Sequence, residues 1–428
     1  DFAYQSLLPN RLSQLGPGVA WTDLNRDGYE DLIIGAGRGS SLLVYYGQKD
    51  GQFKFVQGPV AELDQTGVIG WTAKPGAPTL LTGSSNLEAP DMAFVQLPSV
   101  LGFNVGQNFT TDISLTGNRS TTGPMAVADV DGDGDLDLFI GGRMIPARYP
   151  EPADSRLFLN ENGTLKLDPA NAKVLEKLGL VSGAVFGDLD GDGDADLVLA
   201  LEWGPVKVLR NDAGKFTDAT KSLGLVTHRG WWNSVALGDF DADGRLDIVA
   251  GNWGLNSKYE RAYTKKQPLR MAYADFDENG VLDIVEYHFD KLTKKMVPER
   301  GRSCTMNAMP TFGTEKESFE SFEAFGKRSL EEVYGACLKE GTVLEANTLA
   351  HTVFLNRGGR YEARPLPAEA QFAPVFGINI ADFDGDGHED IFMAQNFFAS
   401  QRETPRSDGG RGLLMRGDGK GGFTPVLG

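Results

Sequence analysis

The chain has 428 residues, 41% of them hydrophobic, and a formal net charge of −18 at pH 7. This acidic balance argues against nucleic acid and anionic membrane surfaces as partners. No apolar run reaches the roughly 18 residues that a transmembrane helix needs. The hydrophobic content suffices for one large core, and residues 1–428 are expected to form a single domain.

The first element in chain order is an acidic loop at residues 23–31, and its design, D-x-[DN]-x-[DN]-G-x-x-D, occurs six times in all. Oxygen ligands at positions 1, 3, 5 and 9 converge when such a loop curls around its glycine, which makes a hard-cation site that favours Ca²⁺ over Mg²⁺. The predicted calcium ligands are Asp23, Asn25, Asp27 and Asp31; Asp129, Asp131, Asp133 and Asp137; Asp188, Asp190, Asp192 and Asp196; Asp239, Asp241, Asp243 and Asp247; Asp275, Asp277, Asn279 and Asp283; and Asp382, Asp384, Asp386 and Asp390.

Six solvated turns are the plain alternative, because Asp and Gly are ordinary turn residues. That alternative leaves unexplained why carboxylates crowd together in every copy. Like charges at such short range repel unless a cation lies among them. We therefore expect Ca²⁺ in all six loops.

Between the first and second loops, residues 70–83 keep a strand–turn–strand outline without the carboxylates. This worn copy is expected to bind no metal. Short apolar strands bounded by glycine flank the other loops, for example Ser234–Gly238 and Ile248–Asn252 around the fourth. A hairpin pattern with a glycine turn and an aromatic follows at 208–216, 353–361 and 414–423.

The repeating unit is therefore four antiparallel strands, with the acidic loop between the first two. Repeats of this size predict an all-β fold, a β-propeller of seven blades of four antiparallel strands. The 36 residues from Asp239 to Asp275 are too few for a full blade. The fifth loop therefore fits an outer hairpin as an alternative.

A small helical insertion is expected at residues 298–347, after the fifth loop. Its apolar side chains stand mostly at helical spacing, with a break near Gly326: Phe319, Phe322, Phe325, Leu330, Val333, Tyr334 and Leu338. The pair of helices either covers a blade with its apolar stripe or serves as a lid or partner site. Cys304 and Cys337 form one disulfide or are two small buried residues.

These motifs resemble FG-GAP/VCBS repeats, on Phe376–Gly387 and Asp137–Gly142 in particular. The resemblance implies a calcium-binding propeller like those of integrin α subunits and many secreted bacterial proteins. A narrower resemblance, on residues 230–236, 251–259 and 417–425, is to bacterial relatives of cartilage acidic protein, which often carry ASPIC/UnbV modules. The repeat is specific for fold and calcium, but propellers host many unrelated functions.

Loops that join second to third strands lie on the propeller face opposite the calcium loops. Large aromatic and cationic residues gather there, and a carbohydrate or peptide suits such a platform. The candidate ligand-binding residues are Arg148, Trp203, Trp232, Trp253, Lys258 and Tyr259. The alternative is that the tryptophans wedge between blades as core.

We predict an extracellular, cell-surface or periplasmic binding module for a protein or glycan, or one part of a larger surface assembly. Calcium sites of extracellular modules bind at about 10⁻⁴–10⁻³ M and would be empty in cytosol. Binding without chemistry is favoured, because no nucleophile elbow or zinc-protease motif occurs. The alternative is a polysaccharide lyase that uses His228, Arg229 and Tyr259.

Overall fold

The computed structural model describes residues 1–74, 77–87, 97–105, 108–261, 263–308 and 320–427, and these form seven antiparallel sheets. Sheet 1 contains β1 (Val19–Thr22), β2 (Asp31–Ile34), β3 (Ser41–Gly47) and β4 (Phe53–Val60). Sheet 2 contains β5 (Asp64–Lys74), β6 (Ala77–Ser85), β7 (Val100–Asn104) and β8 (Thr110–Leu115). Sheet 3 contains β9 (Thr121–Ala128), β10 (Asp137–Met144), β11 (Arg156–Glu161) and β12 (Thr164–Leu167).

Sheet 4 contains β13 (Leu180–Gly187), β14 (Asp196–Pro205), β15 (Lys207–Asp212) and β16 (Lys215–Asp218), and the short β17 (Arg229–Trp231) pairs with the end of β14. Sheet 5 contains β18 (Ser234–Gly238), β19 (Asp247–Gly251), β24 (Thr352–Asn356) and β25 (Tyr361–Pro365). Sheet 6 contains β26 (Val375–Ala381), β27 (Asp390–Gln395), β28 (Leu413–Gly417) and β29 (Phe423–Pro425). The prediction of an all-β propeller with seven four-stranded units is confirmed.

The remaining sheet, called the inserted sheet below, lies in sequence between β19 and β24 of sheet 5. Its strands run in the order β22 (Lys295–Pro298), β21 (Asp283–Asp290), β20 (Leu269–Ala274) and β23 (Thr342–Ala346). The fifth acidic loop joins β20 to β21, so it belongs to this sheet. That position explains the short spacing after the fourth loop.

Sheets 1 to 6 stack around an axis through their first strands. β1, β5, β9, β13, β18 and β26 pack side by side in that order. Second strands such as β10 and β19 are buried along their whole length, because sheets cover them on both faces. Continuous apolar runs in these strands follow from that double burial.

The inserted sheet packs across the ends of the ring strands that lie away from the acidic loops. Its Leu269, Met271 and Ile284 share one buried cluster with Met144, Trp203 and Phe397 at the far ends of sheets 3, 4 and 6. A second hydrophobic core therefore lies at that end of the propeller, in addition to the cores between neighbouring sheets.

Four short helices complete the described chain: α1 (Ala172–Leu175), α2 (Arg302–Ala308), α3 (Phe322–Gly326) and α4 (Leu330–Tyr334). Single 3-10 turns lie at Leu225–Thr227, Lys258–Arg261, Gly335–Glu340 and Ala368–Phe372. The predicted helical pair corresponds to α3 and α4, and the predicted break follows Gly326. A capping box of Ser329 and Glu332 starts α4.

The helices cover the inserted sheet. Phe325, Val333 and Tyr334 pack against Ala272 and Val285 of that sheet, which is the covering role anticipated for the apolar stripe. Phe319 lies outside the described residues. Cys304 is a free thiol, and the side chain of Cys337 lies outside the described residues.

Candidate calcium sites

Each acidic loop is closed on its first aspartate. In the second loop the backbone N–H groups of Asp133 and Gly134 donate to the two carboxylate oxygens of Asp129, at 3.1 and 2.9 Å. The same pair of bonds recurs in the other five loops. The glycines at position 6 have φ between +81° and +96°, a region that favours glycine. The local sequence thus fixes the curl that the motif predicts.

The aspartate at position 9 joins each loop to its sheet. Asp137 accepts the N–H of Val130 at 2.9 Å through Oδ2 and that of Asn160 on β11 at 2.8 Å through Oδ1. Asp247 does the same with Phe240 and Asn356, at 3.0 and 2.6 Å. Burial raises the pKa of Asp137 to about 6 and that of Asp247 to about 7. A charge held in such a place is stabilised by a bound cation.

In five loops, three carboxylates each offer an oxygen within 4.8 Å of the others: Asp129, Asp131 and Asp137; Asp188, Asp190 and Asp192; Asp239, Asp241 and Asp247; Asp275, Asp277 and Asp283; Asp382, Asp384 and Asp390. Ca²⁺ binds oxygen at 2.3–2.6 Å, so ligands on opposite sides of one ion stand about 5 Å apart. The donors present therefore fit a calcium ion. Its chemistry there would be structural, because it would neutralise carboxylates that the fold brings together.

The other predicted ligands stand slightly apart from these groups. At position 5, Asp133, Asp243, Asp386 and Asn279 each accept the N–H of position 7. In the first loop, Asn25 donates through Nδ2 to Asp27 at 3.0 Å, and Asp31 is fully buried against Leu24 and Gly47. Asp196 lies apart from its group and pairs with Arg210.

Arginines that the sequence analysis missed approach three of the loops. Arg210 lies 2.8 Å from Asp190 and 2.6 Å from Asp196, and Arg416 lies 2.9 Å from Asp384. Arg357 pairs with Asp241 of the fourth loop. Each arginine lies on the third strand of its sheet or just after it. Its position in that strand, level with the acidic loop, was the one sequence feature that pointed to the contact. These cations offset part of the loop charge.

The asparagines of the hairpin pattern link neighbouring sheets at the calcium end. Asn211 donates through its backbone to Asp196 of its own sheet, and through Nδ2 to the Val130 carbonyl of the preceding loop, at 2.8 Å. Asn356 makes the equivalent bonds to Asp247 and to the Leu189 carbonyl, the latter at 3.0 Å. Loop order is therefore coupled to contact between blades. The sequence signal was the Asn that opens the hairpin turns at 208–216 and 353–361, whereas the third hairpin has Gly417 at that position.

Three of the aromatic residues predicted to bind a ligand, Trp203, Trp253 and Tyr259, come together in the interior. Trp232 packs in a separate buried cluster, against Phe354. Trp203, Trp232, Trp253 and Tyr259 are at most 4% exposed. Trp231, which the prediction left out, stacks on Trp253 with ring centroids 4.2 Å apart and lies 5.3 Å from Trp203. The inserted sheet covers Trp203, Trp253 and Tyr259, so they have no surface to offer a ligand while that sheet is in place. Their position is the one expected from the alternative interpretation, in which the tryptophans are part of the core.

Of the cationic members of that set, Arg148 is exposed and the amine of Lys258 is buried. The Arg148 side chain is 41% exposed and pairs with Glu151. Lys258 lies 4.0 Å from Glu299 and 4.8 Å from the centre of the Tyr259 ring.

The residues of the lyase alternative each have a separate partner. The Tyr259 hydroxyl donates to Glu286 at 2.8 Å, and burial raises the pKa of Tyr259 well above its usual value. Arg229 pairs with Glu345 at 2.8 Å. The His228 ring packs edge-on against Phe354, and burial lowers its pKa.

Comparisons with known proteins agree with this architecture. Residues 188–250 match the FG-GAP-like repeat family and residues 15–53 match the FG-GAP repeat family. The chain therefore contains FG-GAP repeats. No helix in the described part of the chain is long and apolar enough to cross a membrane.

Two curated relatives share low but extended similarity with the chain. T-cell immunomodulatory protein of Rattus norvegicus is 24% identical over 269 residues, covering 57% of this chain and 42% of the relative. Cartilage acidic protein 1 of Xenopus tropicalis is 25% identical over 312 residues, covering 64% and 48%. The matched region thus spans less than half of either relative. A solved structure of BBS1N in complex with ARL6DN aligns over 89% of both chains at 10% identity, with a TM-score of only 0.39.

Proposed function

We propose that the chain is a calcium-stabilised β-propeller that acts outside the cytosol, in the periplasm, at the cell surface or in the medium, as a binding module for a partner protein or glycan. The observation that carries this proposal is the repeated loop geometry, with carboxylate oxygens gathered at five loops within 4.8 Å. Open sites of this type reach half-saturation at about 10⁻⁴–10⁻³ M Ca²⁺, which suits an extracellular setting.

Bound calcium would stabilise the contacts that join each loop to its sheet. Each position-9 aspartate accepts an N–H of its own loop through one oxygen. In five of them the other oxygen accepts an N–H from the third strand of the sheet: Asp31, Asp137, Asp196, Asp247 and Asp390. A cation beside that carboxylate would favour its charged form, which accepts both bonds more strongly. A rigid ring of blades would then present surface loops in fixed positions, as binding propellers require.

For the partner surface, the strongest support lies at the inserted sheet. A groove of about 600 Å³ runs between that sheet and the 3-10 turn after α4. Its apolar lining includes Met296, Leu330, Leu338 and Val343, with Lys295 and Lys339 at the rim. Ligand pockets in proteins are typically clefts of roughly 300–1,000 Å³ with a mostly apolar lining, and this groove has both properties. We infer that apolar side chains of a partner protein enter this groove.

Panning a phage-displayed library of random 16-residue peptides on the calcium-loaded chain tests this assignment. Peptides rich in large apolar residues should be enriched, and Val343→Asp should abolish their binding because it puts a charge into the groove. Val226→Asp is the matched control, since both valines are 42% exposed and Val226 lies outside the groove. Peptides that bind the Val343→Asp chain unchanged would contradict the groove, and binding confined to a glycan array would favour a glycan partner.

A further inference from the structure

Sheet 1 has one covered face and one open face. Ile33 and Val44 on the covered face pack against Val68, Leu80 and Phe103 of sheet 2. This is how each sheet of the ring meets the next. The strand register puts a second set of residues on the opposite face: Val19, Trp21, Leu32, Ile34, Leu43, Tyr45, Phe55 and Gln57, with Phe53 beside them.

The open face is apolar, uncharged and exposed. Val19 and Trp21 are each 58% exposed, and Phe53 and Phe55 are 50% and 51% exposed. The rings of Trp21 and Phe53 lie 6.0 Å apart, and those of Tyr45 and Phe55 lie 5.2 Å apart, so the aromatics form a continuous surface. A contiguous apolar face of this kind on a soluble protein marks an interface.

The space in front of this open face is called the slot below. Sheet 6 lies on the other side of it. Its Ile391 and Met393 face sheet 5, and the alternate residue Phe392, paired with Leu414, faces outward at 37% exposure. The segment before β1 ties the two sheets together at one end, because the Arg11 N–H donates to the Ala399 carbonyl at 2.8 Å. A cavity of about 300 Å³ lies there between residues 14–17 and Phe376, Asn396 and Phe397.

We propose that this slot holds one further four-stranded antiparallel sheet, stacked as the next blade and formed by residues of the same protein outside these 428. The stacking direction of the ring continues straight into the slot, and a sheet is what covers the equivalent face at each neighbouring position. A blade takes about 40–50 residues. The curated relatives extend well beyond their matched regions, so proteins of this kind have room for it.

Tryptophan fluorescence can report on this face separately from the rest of the protein. Trp21 is 58% exposed, and the other tryptophans, Trp71, Trp203, Trp231, Trp232 and Trp253, are at most 4% exposed. Acrylamide should therefore quench mainly Trp21 in the 428-residue chain, and Trp21→Phe should remove the quenchable fraction. In the product of the complete gene, the difference between parent and Trp21→Phe should largely disappear, because the added blade shields the ring.

Three results would overturn the proposal. One is a complete reading frame with too few additional residues for four strands. Another is a complete product in which Trp21 is quenched as strongly as in the shorter chain. The third is a shorter chain that already protects Trp21 and sediments as a dimer, since a second copy would then cover the face.

Discussion

At the scale of single residues, charge burial dominates the calcium end of the molecule. Asp247 and Asp137 are buried at the point where loop and sheet meet, and their raised pKa values follow from lost solvation. The sequence motif included the three carboxylates that gather in each of five loops, together with a fourth residue that stands apart from each group. It did not reveal the partners of the arginines and asparagines from the third strand, because those residues reach the loops only through strand pairing.

Replacing one loop carboxylate should weaken calcium stabilisation. Asp131→Ala removes an oxygen from the group formed with Asp129 and Asp137, and the loss of one site at tenfold saturation amounts to about 1.4 kcal/mol. Asp135→Ala is the matched control, since position 7 would contribute only its backbone carbonyl. In thermal melts with calcium, the parent and Asp135→Ala should have the same melting temperature, and Asp131→Ala should have a lower one. Equal losses in the two variants would argue against a metal at this loop.

A buried histidine predicts an acid-sensitive fold. His351 is fully buried, accepts the Asn252 N–H through Nδ1 at 2.7 Å, and has its pKa lowered to about 4 by burial. The unfolded chain, with a histidine pKa near 6.5, takes up this proton first. The stability that depends on neutral His351 is therefore complete above pH 6.5 and is lost as pH falls towards 4, by about 3 kcal/mol.

His351→Gln tests this expectation, because a side-chain amide can accept the Asn252 N–H and donate to the Ala373 carbonyl, which lies 3.0 Å from Nε2, without titrating. Urea unfolding at saturating calcium between pH 6.5 and 4 should show a shallower fall for the variant than for the parent. Parallel pH profiles would mean that His351 titrates normally in the folded protein.

At the scale of elements, the inserted sheet is the main finding that the sequence did not reveal. The repeat pattern located its acidic loop and predicted strands around it, but a pattern along the chain does not show where a sheet docks. The sequence therefore leaves two interpretations of Trp203 and Trp253, a ligand platform or a buried core layer, because aromatic residues beside polar ones suit both. Leu269 and Met271 of the inserted sheet pack over both tryptophans, so the tryptophans belong to a buried layer.

The buried tryptophan layer should be essential for stability. Trp253→Ala removes a ring stacked on Trp231 and packed against Phe397, and should cost about 3–5 kcal/mol. Trp21→Ala makes the same chemical change on an exposed ring and should leave the unfolding free energy nearly unchanged. Guanidinium unfolding of both variants measures the difference. Comparable stabilities would mean that Trp253 is not part of a packed layer.

At the scale of the whole molecule, the hairpin asparagines connect the calcium loops of neighbouring sheets. Asn211 and Asn356 each connect a position-9 aspartate of one sheet with the loop of its neighbour. The formal charge of −18 opposes the close packing of the sheets, and six calcium ions would offset twelve of these charges. Calcium should therefore act on the stability of the ring as a whole.

The most direct test of this account is the melting temperature of the chain in 2 mM Ca²⁺, compared with EGTA and with 2 mM Mg²⁺ at equal ionic strength. Ligand that binds only the native state adds about 1.4 kcal/mol per site at tenfold saturation. The account predicts one cooperative transition that moves to clearly higher temperature in Ca²⁺ than in either control. A melting curve that is the same in Ca²⁺ and in EGTA would contradict it.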